Sequence, residues 1–182
     1  GEKHPWYESH EQRRRAAVQR ARKALGADRA DVRASAARRL AMLEAREATR
    51  DLRELVDDPD PKVRAAAIRA LGQFGNSTRQ IVERMEVDEV PRVYLEALDA
   101  LSRADGRLAL QSLTEQLDGK REVSLSEDFQ IDRRTFVAEA LIRRGIRVTL
   151  VEYMPSVLTT VDPSLGALVR EELSSHGADV VT

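Results

Sequence analysis

Asp58-Pro59-Asp60-Pro61-Lys62-Val63-Arg64-Ala65-Ala66-Ala67-Ile68-Arg69-Ala70-Leu71-Gly72 is the stretch whose reading decides the fold. Asp60 stands one residue before Pro61, the order expected at a helix start: the aspartate accepts from a free backbone N–H, and proline lacks the donor that would otherwise be orphaned. Asp57 to Pro61 therefore reads as a turn, and Gly72 to Asn76 as the turn that follows the helix.

The pattern recurs. Val32-Arg33-Ala34-Ser35-Ala36-Ala37-Arg38-Arg39-Leu40 precedes it by 31 residues, and Val93-Tyr94-Leu95-Glu96-Ala97-Leu98-Asp99-Ala100-Leu101 follows it by 30. An apolar stripe at i, i+4 and i+8 from each valine, filled at i+7 as well in the second and third copies, gives one buried face of a 3.6-residue helix. A small residue at the fifth place lets a neighbouring helix approach closely. Weaker amphipathic segments alternate with these copies: Arg46 to Val56, Ser77 to Met85 and Arg107 to Leu117. The expectation is a row of inner helices, each paired with an outer one.

Residues 58–72 resemble a HEAT repeat of the short kind also found in phycobilisome-lyase-like proteins. The resemblance extends over about 29–145. It implies a mainly α fold, an α-solenoid of antiparallel helix pairs, with ladders of Asp and Arg between successive turns in which Asp60 and Arg64 would be structural. A fourth inner helix, Arg133 to Leu141, aligns with Arg134 in the Arg place, Val137 in the small place and Leu141 in the Leu place. The polar stretch 118–130 reads as a long exposed loop, either functional or simply mobile.

Beyond Ala138 the pattern changes. A helix ends at Gly145, a β-branched run follows, Asp162-Pro163 starts another helix, and Ala178 to Val181 is a short apolar run, so 146–182 reads as a strand-helix-strand appendage to a solenoid of residues 1–145. Residues 137–182 resemble part of the NAD-binding subdomain of the FAD-dependent pyridine nucleotide–disulfide oxidoreductases, through Ala138-Glu139-Ala140-Leu141-Ile142-Arg143-Arg144-Gly145, Val148 to Glu152, and Leu168 to Leu173 before His176-Gly177. In that family an acid at the second strand's end holds the adenosine ribose, and Glu152 is the matching residue. The phosphate-binding glycines would fall at 129, 131 and 134, where Phe129, Ile131 and Arg134 stand. Bulky side chains there forbid the tight turn and close backbone approach that a pyrophosphate needs. No cofactor is expected, and the segment reads as a vestigial or fused fragment.

Composition narrows the function. Among 182 residues, aromatics are 4% and cysteine is absent, so the core is helical and aliphatic, and thiolate metal sites and disulfides are excluded. No apolar run approaches the length of a membrane span, and a cytoplasmic location is expected. His4, His10 and His176 lack metal-ligand spacing, and no nucleophile elbow or P-loop occurs, so no catalytic or metal residue is assigned. Asp57-Asp58 and Glu171-Glu172 read as solvent-facing or capping. Residues 1–10 form an N-terminal cap, in which Trp6 and Tyr7 either cover the solenoid's end or anchor a partner.

The function expected is a non-catalytic protein-interaction scaffold, since stacked helix pairs present a concave surface lined by inner helices. Arg38, Arg39, Lys62, Arg69, Arg92 and Asp99 would carry the contacts to a protein partner of unknown identity. Nucleic-acid binding is the alternative: residues 1–50 hold 13 Lys and Arg against 7 Asp and Glu, and HEAT-like DNA glycosylases grip the DNA backbone with a basic concave face. Dimerisation through the C-terminal strands is a further possibility.

Overall fold

The computed structural model describes residues 5–117, 122–126, 129–151, 167, 170–171, 174–175 and 179–181. They fall into two compact units, residues 1–100 and 101–182, and the division lies within a helix.

The first unit begins with α1 (Pro5–Ala24), α2 (Ala30–Met42), α3 (Thr49–Glu54) and α4 (Pro61–Phe74). It continues with α5 (Thr78–Val87) and the start of α6 (Pro91–Arg103). The outer segment at 46–56 is not one helix: α3 is flanked by short 3-10 turns at 46–48 and 55–57. The inner helices carry the core. Ala36, Ala67 and Ala97 are buried at the fifth place, and Leu40 and Leu71 are fully buried at the ninth.

The α4 helix starts as its sequence dictates, with Asp60 Oδ1 accepting from Lys62 N at 2.7 Å and Pro61 in the first turn. Its end lies further on than expected. Gly75, at φ 72°, closes the helix by donating to Leu71 O at 3.0 Å, so Gly72 is helical rather than part of the turn. Gly72 instead answers a close approach: a Cβ there would lie 2.5 Å from the Cβ of Ala100.

Successive turns are interlocked by buried ion pairs. Arg33 reaches both Asp58 oxygens at 2.7 and 2.8 Å, and Arg64 reaches both Asp88 oxygens at 2.6 and 3.0 Å. Each guanidinium also donates to two carbonyls of its own turn, Arg33 to Ala27 and Asp28, Arg64 to Asp58 and Pro59. Asp58 and Asp88 in turn accept from the backbone N–H of Asp60 and Val90. The rung acid is therefore Asp58, not Asp60. Of the two readings of the Asp57-Asp58 pair, solvent-facing or capping, the first does not hold for Asp58, which is 8% exposed and accepts from a backbone N–H at the start of α4.

The row is closed chemically where α2 begins it. Ala27 stands where Asp58 does one repeat later, so no unpaired acid is buried there. Arg39 occupies the place of Ala70 and Ala100, both fully buried, yet Arg39 itself is exposed. The stripe at i+7 is thus broken in the first copy. Arg39→Ala is accordingly expected to change stability by no more than about 0.5 kcal/mol in urea denaturation.

The second unit comprises the end of α6, α7 (Arg107–Leu117), β1 (Glu122–Ser126), β2 (Phe129–Asp132), α8 (Arg133–Arg143), β3 (Thr149–Val151) and β4 (Asp179–Val181). Ala109, Leu113, Val137, Ala140 and Leu141 form its core between α7 and α8. Arg144 donates to the carbonyls of Leu101 and Ala104, capping the end of α6. Where sequence suggests a long loop at 118–130, β1 and β2 pair antiparallel, Val123 opposite Ile131. Polar and apolar residues alternate along both strands, a period-two signal hidden among Gly, Lys and Ser. β3 and β4 pair in parallel, Leu150 opposite Val180. Most residues between them, Asp162-Pro163 and all of the Leu168-Leu173 stretch but 170–171 included, lie outside the described ones.

Candidate functional site

Side-chain exposure picks out one stripe on the inner helices. Counting from each valine as zero, positions −1, 3, 6 and 10 are about one helical turn apart and share a face. In α2 they are Asp31, Ser35, Arg38 and Met42, all exposed; in α4 they are Lys62, Ala66, Arg69 and Gln73, of which only Ala66 is buried. In the part of α6 within the same unit they are Arg92, exposed, and Glu96 and Asp99, half-buried. Five of the six residues expected to bind a partner lie on this stripe; Arg39 does not.

The charges on the face are unevenly committed. Arg69 forms a two-pronged ion pair with Glu96, through Nε at 2.9 Å and through Nη2. The Glu96 hydrogen bond, with Asp99 nearby, raises the Arg69 pKa above its ordinary value. Asp31 is held by Arg29 at 2.7 and 3.1 Å, and this lowers its pKa below the usual carboxylate range. Arg38 donates only to the neutral hydroxyl of Ser35, at 3.1 Å.

Sequence reading missed Met42, the most exposed large apolar side chain among the described residues at 70%. It borders a cleft lined also by Ala41, Glu44, Arg46, Gln73 and Phe74. In the cleft wall Arg46 donates to Phe74 O at 2.6 Å, satisfying a carbonyl at the end of α4. The i+10 spacing of Met42 from Val32 was the available signal.

The arginines of α1 serve the fold more than a ligand. Arg14 donates to the carbonyls of Leu43 and Glu44 at the end of α2, Arg15 pairs with Glu11, and Arg22 pairs with Asp51 at 2.5 Å. The Asp51 hydrogen bond raises the Arg22 pKa. Arg13, Arg20 and Lys23 are exposed. The side chains of Trp6 and Tyr7 lie outside the described ones.

No group of three or more His, Asp or Glu among the described residues is arranged to hold a metal ion. No helix among them is long and apolar enough to cross a membrane. Where a dinucleotide fold would need its glycine turn, Phe129 and Ile131 belong to β2 and Arg134 to α8. An extended strand in an antiparallel hairpin is not a phosphate cradle, so these residues do not fit a dinucleotide. Glu152, His4 and His176 lie outside the described residues, as does Glu172, whereas Glu171 is exposed.

Two family models match parts of the chain. Residues 49–128 match the family model for HEAT repeats. Residues 136–182 match that for pyridine nucleotide-disulphide oxidoreductases, as a short fragment. No curated protein matches the chain.

Proposed function

We propose, from the HEAT repeats that residues 49–128 carry, that this protein is a non-catalytic interaction scaffold whose partner contacts the exposed stripe of its inner helices. The observation that carries this reading is a contrast within the repeat. At packing positions the three copies agree: Val32, Val63 and Val93; Ala36, Ala67 and Ala97; Leu40, Leu71 and Leu101. At stripe positions they agree less: Asp31 against Lys62 and Arg92; Ser35, Ala66 and Glu96; Arg38 and Arg69 against Asp99. Folding requires the first set and leaves the second free, so the identity of the stripe residues is available to a partner.

The partner-binding residues on this reading are Arg38, Lys62, Arg69, Arg92 and Asp99, with Arg39 at the margin and Met42 added. Action in the cytoplasm, a scaffold of residues 1–145 and a strand-helix-strand appendage at 146–182 belong to the same proposal. Nucleic-acid binding through α1 is the weaker reading, because Arg14, Arg15 and Arg22 are engaged within the protein. Retained oxidoreductase chemistry is weaker still, for want of a phosphate-binding turn.

A photo-crosslinking residue placed at Arg38 or Arg92 tests the proposal against one placed at Glu83 on the exposed face of α5. In extract from the native source, the inner-face probes are expected to capture a discrete polypeptide that the Glu83 probe does not. Equal capture by all three, or capture at Glu83 alone, removes the inner face from consideration.

A further inference from the structure

We infer that the inner-helix face takes an acidic polypeptide segment bearing an apolar side chain, which seats against Met42. The inference rests on the scaffold reading and adds the chemistry of the partner.

The acids of the face are already neutralised from within. Asp31 is gripped by Arg29, and Glu96, with its side chain only 12% exposed, by Arg69. Asp99 lies close enough to Arg69 to raise its pKa. Among the described residues no carboxylate pairs with Arg38, Arg39, Lys62 or Arg92, all exposed. These cations stand on three successive inner helices, whose axes in packed pairs are about 8–10 Å apart. A face whose anions are spent and whose cations are not attracts an acidic chain crossing the helices.

Charge alone does not account for Met42. A methionine side chain 70% exposed beside Phe74 and Ala41 offers a soft, adaptable apolar surface at one end of the charged row. Glu44 and Arg46 also line that cleft and oppose one another in sign. An apolar residue therefore enters it at little electrostatic cost. A phosphate backbone matches the cations but supplies no aliphatic side chain for Met42.

The test is fluorescence anisotropy on the full chain with a short labelled peptide of alternating Glu and Leu. Matched probes replace Glu with Lys, or Leu with Ser, and a single-stranded DNA oligonucleotide serves as the polyanion lacking aliphatic side chains. The Glu–Leu peptide is expected to bind. Affinity is expected to be about tenfold or more weaker for each replacement probe and for the oligonucleotide. The double variant Lys62→Glu/Arg92→Glu and the variant Met42→Ser should lose as much for the Glu–Leu peptide, with far-UV circular dichroism unchanged.

Equal binding of the Lys–Leu peptide or the oligonucleotide, indifference to Lys62→Glu/Arg92→Glu, or no binding of the Glu–Leu peptide would each overturn the inference. Binding that ignores charge but is lost in Met42→Ser overturns the acidic partner while leaving the scaffold standing. The scaffold itself falls with the crosslinking result.

Discussion

Asp88→Ala is expected to destabilise the first unit by about 3–5 kcal/mol, the usual cost of removing one member of a buried ion pair. Arg64 would remain 8% exposed, with Nη1 still held by the carbonyls of Asp58 and Pro59 and no acid opposite its Nε and Nη2. Arg84, which donates to the same Asp88 oxygen at 2.7 Å, would keep only its 3.1 Å pairing with the exposed Asp57. By contrast, Asp57→Ala removes only a pair with a 75% exposed carboxylate, worth about 0–1 kcal/mol. Because most of the first cost is an orphaned charge, adding Arg64→Met to Asp88→Ala is expected to recover part of it. Urea denaturation of the four proteins reads all of these differences, and an Asp88→Ala variant as stable as Asp57→Ala would show the rung to be idle.

The same rungs fix how stability responds to acid. Burial disfavours the Asp88 carboxylate, but hydrogen bonds from Arg64 and Arg84 outweigh it, and its pKa is lowered. For Asp58 the Arg33 hydrogen bond is the largest influence; opposed by burial, it also lowers the pKa. A carboxylate with a lowered folded pKa contributes fully above its unfolded value of about 3.9 and loses that contribution as pH falls through the folded value. Wild type should therefore lose stability below about pH 4. The gap between wild type and Asp88→Ala should narrow there.

What sequence could yield here depended on whether a signal is local. The helix start at Asp60-Pro61 involves neighbours, and α4 begins there. The rung does not: Asp58 and Asp60 each stand directly before a proline, and only the reach of Arg33 from the preceding repeat, at 2.7 Å, distinguishes them. Gly72 posed the same problem. A glycine near a helix end reads as a stop, yet the chain continues to a second glycine, Gly75, whose φ of 72° makes the turn. The β1–β2 hairpin is obscured because its alternation is confined to two short strands set among loop-forming residues. On the candidate face, the stripe positions were legible from period alone. The pairing of Arg69 with Glu96, which decides how many free cations the face holds, depends on two helices meeting.

Gly72→Ala carries the second large effect, and its sign runs against helix propensity. Replacing a helical glycine with alanine ordinarily stabilises by up to about 1 kcal/mol. Here the new Cβ would lie 2.5 Å from Ala100 Cβ and 3.1 Å from Ala100 Cα, and neither atom belongs to a side chain that can swing away. The helices must separate, loosening the packing of Leu71 and Ala97 beside them. A net loss of about 1–3 kcal/mol is expected, the usual range for overpacking, and more for Gly72→Val. Ala100→Gly in the Gly72→Ala background removes the nearer clash and leaves only the backbone carbon of residue 100 in the way, which a small shift of either helix relieves. The double variant should therefore be more stable than Gly72→Ala alone, with a coupling of about 1 kcal/mol or more in the mutant cycle. Additive losses would mean that the close approach of α4 to Ala100 is not what fixes glycine at this position.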